Sequence, residues 1–308
     1  MTPASANYID PQALMRIRNL ELRARAVVEG FWHGLHRSPY HGFSVEFTEY
    51  RPYVSGDDTR YLDWKLLART DRYFIKKFED ETNLRCHLLV DISQSMGYGS
   101  LPYTKAQYAT TLAATLAYFL DQQGDAVGLF TFDQAVREYL PARHRPGHLR
   151  NLMLALEKTG TGRVTDLTAP VQRAASLLRK RGVVVLLSDF LAPLEAVESS
   201  LGLLTASGHE VLIFQIFDPA ELTFDFDQPA RFRDLEADRE LFLEPALARP
   251  EYLRRLEAHL EALRGICERL GAGYHRFTTD RPLEEALFHF LKSRESRGRR
   301  VARRAQRI

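Results

Sequence analysis

From residue 84 onward, short apolar runs alternate with longer stretches in helical period. Leu84 to Val90, Asp125 to Asp133, Gly182 to Ser188, His209 to Phe217 and Tyr274 to Thr278 read as strands. Each is brief and bounded by turn formers, and those after the first are rich in β-branched or aromatic residues, as expected of strands buried on both faces. Val183-Val184-Val185-Leu186-Leu187 is the most apolar of them. Ala135 to Leu140 reads as a hairpin partner of the second strand. Between the strands lie predicted helices over 103–123, 149–156, 193–206, 251–270 and 282–291. In the first, Ala106, Ala109, Leu112, Ala113, Leu116 and Phe119 form the inward face, and Gly124 ends it. Such alternation predicts an α/β architecture, a doubly wound and mostly parallel sheet covered on both faces.

Two regions break the rhythm. Before residue 83, a helix is expected over 10–30, capped by Asp10 with Pro11 in its first turn and closed at Gly30. A loop should follow over 31–41, where His33, His36 and His41 lack the Cys or carboxylate that would complete a zinc set. Gly42 to Arg51 alternates in strand period, Ser55-Gly56-Asp57-Asp58 is a turn, 62–68 a short helix, and Tyr73 to Phe78 strand-like. Arg51, Arg60 and Arg69 beside Asp57, Asp58 and Asp63 suggest an ion-pair network more than catalysis, since forked Arg–carboxylate pairing fixes orientation. Residues 1–82 are therefore expected to form an accessory lobe, and 83–293 the main domain. Within the latter, 219–246 is expected to be an inserted β-hairpin, from the alternation of Leu222, Phe224, Phe226, Phe232, Leu235, Leu241 and Leu243.

Composition adds little to this. The 308 residues are 45% hydrophobic and 27% charged, an ordinary globular balance. No apolar run approaches the roughly 20 residues needed to span a bilayer, and the start lacks a secretory pattern. Cys86 and Cys267 lie far apart, so a reduced, cytoplasmic protein is expected. The formal charge of +2 conceals a basic end. Over residues 291–308, Lys292, Arg294, Arg297, Arg299, Arg300, Arg303, Arg304 and Arg307 face Glu295 alone, and 294–308 is read as a basic tail.

The chemistry gathers where the first strand ends, in Asp91-Ile92-Ser93-Gln94-Ser95-Met96-Gly97. One carboxylate and two hydroxyls on alternate residues can converge above a strand end, where ligand sites of α/β sheets lie. All are hard oxygen donors suited to a cation such as Mg²⁺. Asp and Ser are equally good helix caps. Asp189 closes the 182–188 strand in the same way, and Thr165 stands in a Gly-rich loop that lacks the Gly-Lys-Ser/Thr ending of a phosphate-binding loop.

Asp91, Ser93, Ser95, Thr165 and Asp189 together resemble the metal-ion-dependent adhesion site of von Willebrand factor A-type domains. The block from Gly42 through Arg51-x-Tyr53, Gly56-Asp57-Asp58-x-Arg60-x-x-Asp63-Trp64 and Ala68-Arg69 resembles the bacterial domain-of-unknown-function 58 family, whose members carry such a domain and commonly occur with MoxR-type AAA+ ATPases. The resemblance implies that Ser93 and Ser95 ligate Mg²⁺ (or Mn²⁺ or Ca²⁺) through hydroxyls, and Thr165 directly or through water. Asp91 and Asp189 would hold coordinated waters. An open coordination position would then take a carboxylate from an acidic client protein. The implied role is a non-enzymatic adaptor between a MoxR-type ATPase and its clients, in protein or metalloenzyme maturation or stress response. Two rival functions have less support. A phosphatase would need an acid where Ser93 stands. Nucleic-acid binding through the tail finds no basic stripe on the acidic remainder.

Overall fold

The computed structural model describes residues 8–37, 49–52, 74–77, 84–158, 167–226, 228, 230–233 and 240–293. The chain divides into two units, one formed by residues up to 34 with those from 84 onward, the other by 35–83. In the second unit, β1 (Glu49–Pro52) pairs antiparallel with β2 (Phe74–Lys77), Glu49 opposite Lys77. The 62–68 helix and the Arg–Asp network expected there fall outside the described residues.

The main unit begins with α1 (Pro11–Met15) and α2 (Leu20–Arg37). Two sequence expectations change here. The predicted 10–30 helix is broken at 16–19, where the Asn19 carboxamide accepts from Leu22 N at 2.8 Å and starts a new helix. Gly30 does not end α2, because Phe31 and Trp32 beyond it lie against Phe119, with ring centroids 6.2 and 5.8 Å away. Aromatic burial outweighs the helix penalty of one glycine, about 1 kcal/mol. Leu20, Ala24, Val27, Val28 and Phe31 are buried, and Ile9 N donates to Glu284 at 3.0 Å. The N-terminal helices therefore belong to the main unit, whereas the sequence placed them in a separate 1–82 lobe.

The sheet comprises β3 (Arg85–Asp91), β4 (Ala126–Phe132), β5 (Val136–Arg143), β6 (Val183–Ser188), β7 (Glu210–Phe217) and, last in the chain, a strand over Gly273–Thr278. Its order is 273–278 strand, β7, β6, β3, β4, β5; every neighbouring pair is parallel except antiparallel β4–β5. The connecting helices are α3 (Lys105–Gln122), α4 (His148–Glu157), α5 (Thr168–Leu177) and α6 (Leu194–Ala206). Strand residues alternate between two faces. Leu89, Phe130, Val184, Leu186, Val211 and Ile213 pack against Val171 and Ala174 of α5, Val197 and Leu201 of α6, and Leu263 and Ile266 of a later helix. Contacts of α3 run along β3, β4, β6 and β7, and α3 also touches α4. This is the doubly wound, mostly parallel architecture that the alternation predicts.

The region expected as one hairpin over 219–246 is more varied. It opens with α7 (Pro219–Thr223), capped by Asp218, whose side chain accepts from Ala220 N at 2.9 Å while Glu221 reaches back to Asp218 N at 2.8 Å. Leu222 is thus helical, not part of a strand. The hairpin itself is β8 (Ala230–Arg233) with β9 (Glu240–Leu243), followed directly by α8 (Pro245–Leu270). With these named, the 273–278 strand is β10, and a last helix, α9, covers 284–293.

Candidate metal centre

Sheet order alone singles out one place. From β3 the chain winds outward through β4 and β5, then returns to β6 on the other side of β3 and continues through β7 and β10. Ligand sites of doubly wound sheets lie in the crevice where the winding reverses, outside the carboxyl ends of the strands. Here that crevice falls between β3, whose last residue is Asp91, and β6, whose last residue is Ser188 with Asp189 following.

The side chains meet there. Asp91 is fully buried; its Oδ1 accepts from Ser93 N at 2.8 Å and its Oδ2 from the Ser188 hydroxyl at 2.5 Å. The Ser93 and Ser95 hydroxyls stand 3.1 Å apart, with Ser93 buried and Ser95 partly exposed. A short 3₁₀ turn, Ser95–Gly97, leads away. Burial first, then the nearby charge of Asp189, push the Asp91 carboxyl up to about 7 against the opposing pull of its hydrogen bonds. Two carboxylates thus lie close together in a dry corner.

The loop after β6 is held from several sides. Phe190 adopts a left-handed conformation with φ of +52°, strained for an aromatic residue. Its N donates to Ser188 Oγ at 3.1 Å, and its carbonyl accepts from His259 Nε2 of α8 at 2.8 Å. The Asp189 carbonyl accepts from Gln215 Nε2 at 2.8 Å, and Gln215 is in turn fixed by the Tyr274 hydroxyl at 2.6 Å. These contacts set the direction of Asp189.

Lys105, the first residue of α3, is wholly buried beside it. Its ammonium donates to Asp189 Oδ2 at 2.9 Å and to Glu221 Oε1 at 2.6 Å. Burial alone would lower this lysine, but the two carboxylates outweigh it and hold the ammonium above its ordinary value. Burial raises Glu221 in spite of the same ion pair. Ser100, further along the loop that follows Ser95, donates to Asp218 through its N at 2.8 Å and its hydroxyl at 2.5 Å. The loop after β3, the start of α3 and the cap of α7 therefore form one polar assembly.

Of the five residues predicted as ligands, Asp91, Ser93, Ser95 and Asp189 come to this crevice, and Thr165 lies outside the described residues. Sequence reasoning missed Ser188, Lys105 and Glu221. A signal for Lys105 existed: it shares the buried face of α3 with Tyr108 and Leu112, at helical spacing. Among the described residues no cluster of three or more His, Cys, Asp or Glu could hold a metal. The donor set at the crevice is instead hydroxyl-rich, and it fits a hard, water-retaining ion. Both oxygens of Asp91 and both of Asp189 already accept from protein donors, Leu191 N reaching Asp189 Oδ1 at 3.3 Å. The hydroxyls are thus the groups best placed to ligate directly, with the acids acting on coordinated waters.

A doubly wound α/β domain with an oxygen-lined crevice at its switch point is the class defined by fold and site. Residues 49–262 match the family described as "Protein of unknown function DUF58", and the chain belongs to that family. Uncharacterized protein Rv1480 of Mycobacterium tuberculosis is 28% identical over 290 residues, covering 92% of this chain and 90% of its own. Among solved structures, BatB from Bacteroides thetaiotaomicron is similar at 12% identity and a TM-score of 0.48, over 69% of this chain and 99% of that one. The SpRpn10 VWA domain is similar at 13% identity and a TM-score of 0.40, over 66% and 93%. Among the described residues no helix is long and apolar enough to cross a membrane.

Proposed function

We propose that this protein is a non-enzymatic recognition module that binds an acidic partner through a divalent ion held at the β3–β6 crevice. The observation that carries this reading is the convergence of Asp91, Ser93, Ser95 and Asp189, from loops nearly a hundred residues apart, at the switch point of the sheet. Ser93 and Ser95 would hold the ion through their hydroxyls, with Thr165 as a third oxygen. Asp91 and Asp189 would orient its waters and supply charge. The ion, Mg²⁺ in the simplest case and Mn²⁺ or Ca²⁺ otherwise, would supply an electrophilic open position for a carboxylate.

The protein's own residues account for the rest. Ser188 keeps Asp91 turned toward Ser93, and the Phe190 turn keeps Asp189 in place. Lys105 offsets part of the acidic charge, so a cation alone gains less here than in an all-carboxylate site, and an incoming acid gains more. By linkage, ion and partner then strengthen each other's binding equally. Family membership supports a MoxR-type AAA+ ATPase as the associated machine, with this module presenting acidic client proteins to it.

The test is co-purification of the ATPase and its clients in Mg²⁺ and in EDTA, with wild type and Ser95→Ala. Ser95→Ala should keep the thermal transition of the wild type and lose the Mg²⁺-dependent part of partner retention. Equal retention in EDTA and Mg²⁺ overturns the reading.

A further inference from the structure

A cleft lies near the start of α3, apart from the β3–β6 crevice. It has a volume of about 310 Å³ and opens between the α1–α2 connection and the loop before α3. Arg16, Arg18 and Arg23 line it together with Gln12, Gln107, Met15, Ile17, Pro102 and Tyr103, and among the described residues no acid is part of that lining. Arg16 and Arg18 are exposed, and neither has an ion-pair partner among the described residues.

Arg23 is built in rather than free. Its Nη1 donates to Thr111 Oγ1 at 2.9 Å and contacts Met15 Sδ at 3.1 Å, which fixes the plane of the guanidinium. Burial lowers its pKa, and among the described residues the acid that opposes this is Glu157, whose Oε1 already accepts from Leu20 N at 3.2 Å. Its Nε is buried and has no hydrogen-bond partner among the described residues. An unsatisfied buried donor on a charged group costs more than the net value of a made bond, which leaves this guanidinium short of partners on the protein side.

We propose that this cleft binds the phosphate of a small phosphorylated molecule. Three arginines lining one small cleft bring more positive charge to it than a single carboxylate would neutralise. Their planar forks match phosphate oxygens in pairs. The volume is at the lower end of the range for small-molecule sites, and the apolar part of the lining, Met15, Ile17 and Pro102, suits the body that carries the phosphate. An acidic peptide would instead spread its charges along an extended surface, which this compact arrangement does not favour.

The probe is pyrophosphate, titrated calorimetrically into the full chain with EDTA present so that the metal centre takes no part. Saturable binding at one site per chain is expected. Arg16→Ala/Arg18→Ala should weaken it at least tenfold, with an unchanged circular dichroism spectrum and melting temperature in plain buffer. Three results would each overturn the proposal. These are an unchanged affinity in the double variant, the same heat from chloride at matched ionic strength, and an Asp/Glu-rich peptide that binds tenfold more tightly than pyrophosphate.

Discussion

Replacing Lys105 with methionine keeps the volume of a fully buried side chain and removes its charge. Two carboxylates then lose their partner: Asp189, whose side chain is 2% exposed, and Glu221, 16% exposed. Removing one member of a buried ion pair typically costs ~3–5 kcal/mol, because the charge left behind cannot return to water. A native domain has a total stability of only about 5–15 kcal/mol, so Lys105→Met should remove a large part of it. For a unit of this size the melting temperature should fall by roughly 6–20 °C. Urea unfolding in EDTA at neutral pH, followed by circular dichroism, measures the loss. Because Glu221 is one of the two stranded acids, Lys105→Met/Glu221→Gln should be less destabilised than the sum of the two single changes. Mg²⁺ should recover more stability in Lys105→Met than in wild type, since the ion can then neutralise Asp189 unopposed. A loss below about 1 kcal/mol in the single variant, or strict additivity in the cycle, refutes the reasoning for a buried ion pair.

Two further outcomes follow from the opposite end of the sheet. Burial, reinforced by His209 and Arg85, holds His87 down to about 4, whereas in the unfolded chain it titrates near its ordinary 6.5. The unfolded state therefore binds the extra proton between those values, and stability is full above about pH 6.5 and declines toward pH 4. By pH 5 the contribution lost is about 2 kcal/mol, and His87→Gln should show correspondingly less acid sensitivity in urea titrations at pH 7.5 and 5. Equal acid sensitivity in the variant contradicts this. Gly128 of β4 has no room for a side chain: an added methyl would lie 2.8 Å from Ala142 N, 2.9 Å from His87 Nδ1 and 3.0 Å from the Leu140 carbonyl. Gly128→Ala should cost ~1–3 kcal/mol in chemical denaturation, and a cost under half a kcal/mol shows that β5 yields.

Local pattern carried the main domain because a buried parallel strand and an amphipathic helix each write their period directly into the chain. Val183 to Leu187, the α3 repeat and the β4–β5 hairpin all fall where the hydrophobic spacing places them. The Asp91-x-Ser93-x-Ser95 cluster was legible for a related reason. Its members are adjacent in sequence, and the apolar run before them fixes them at a strand end. The reach of α2 was not legible, since Gly30 is a stop signal that only the distant Phe119 ring overrides. The start of the 219–246 segment was misread as strand because Leu222, Phe224 and Phe226 alternate, while the Asp218–Glu221 capping box decides for a helix.

The sequence by itself determined the layering of the sheet and the strand ends at which Asp91, Ser93, Ser95 and Asp189 stand. Tertiary structure alone decided that β6 returns beside β3, which brings Ser188 and Asp189 to Asp91, and that a lysine from α3 and a glutamate from α7 meet at the same point. The reason is range. Periodicity and capping act over a few residues, whereas neutralising charge inside a dry crevice requires partners that the chain supplies from wherever its winding happens to bring them together.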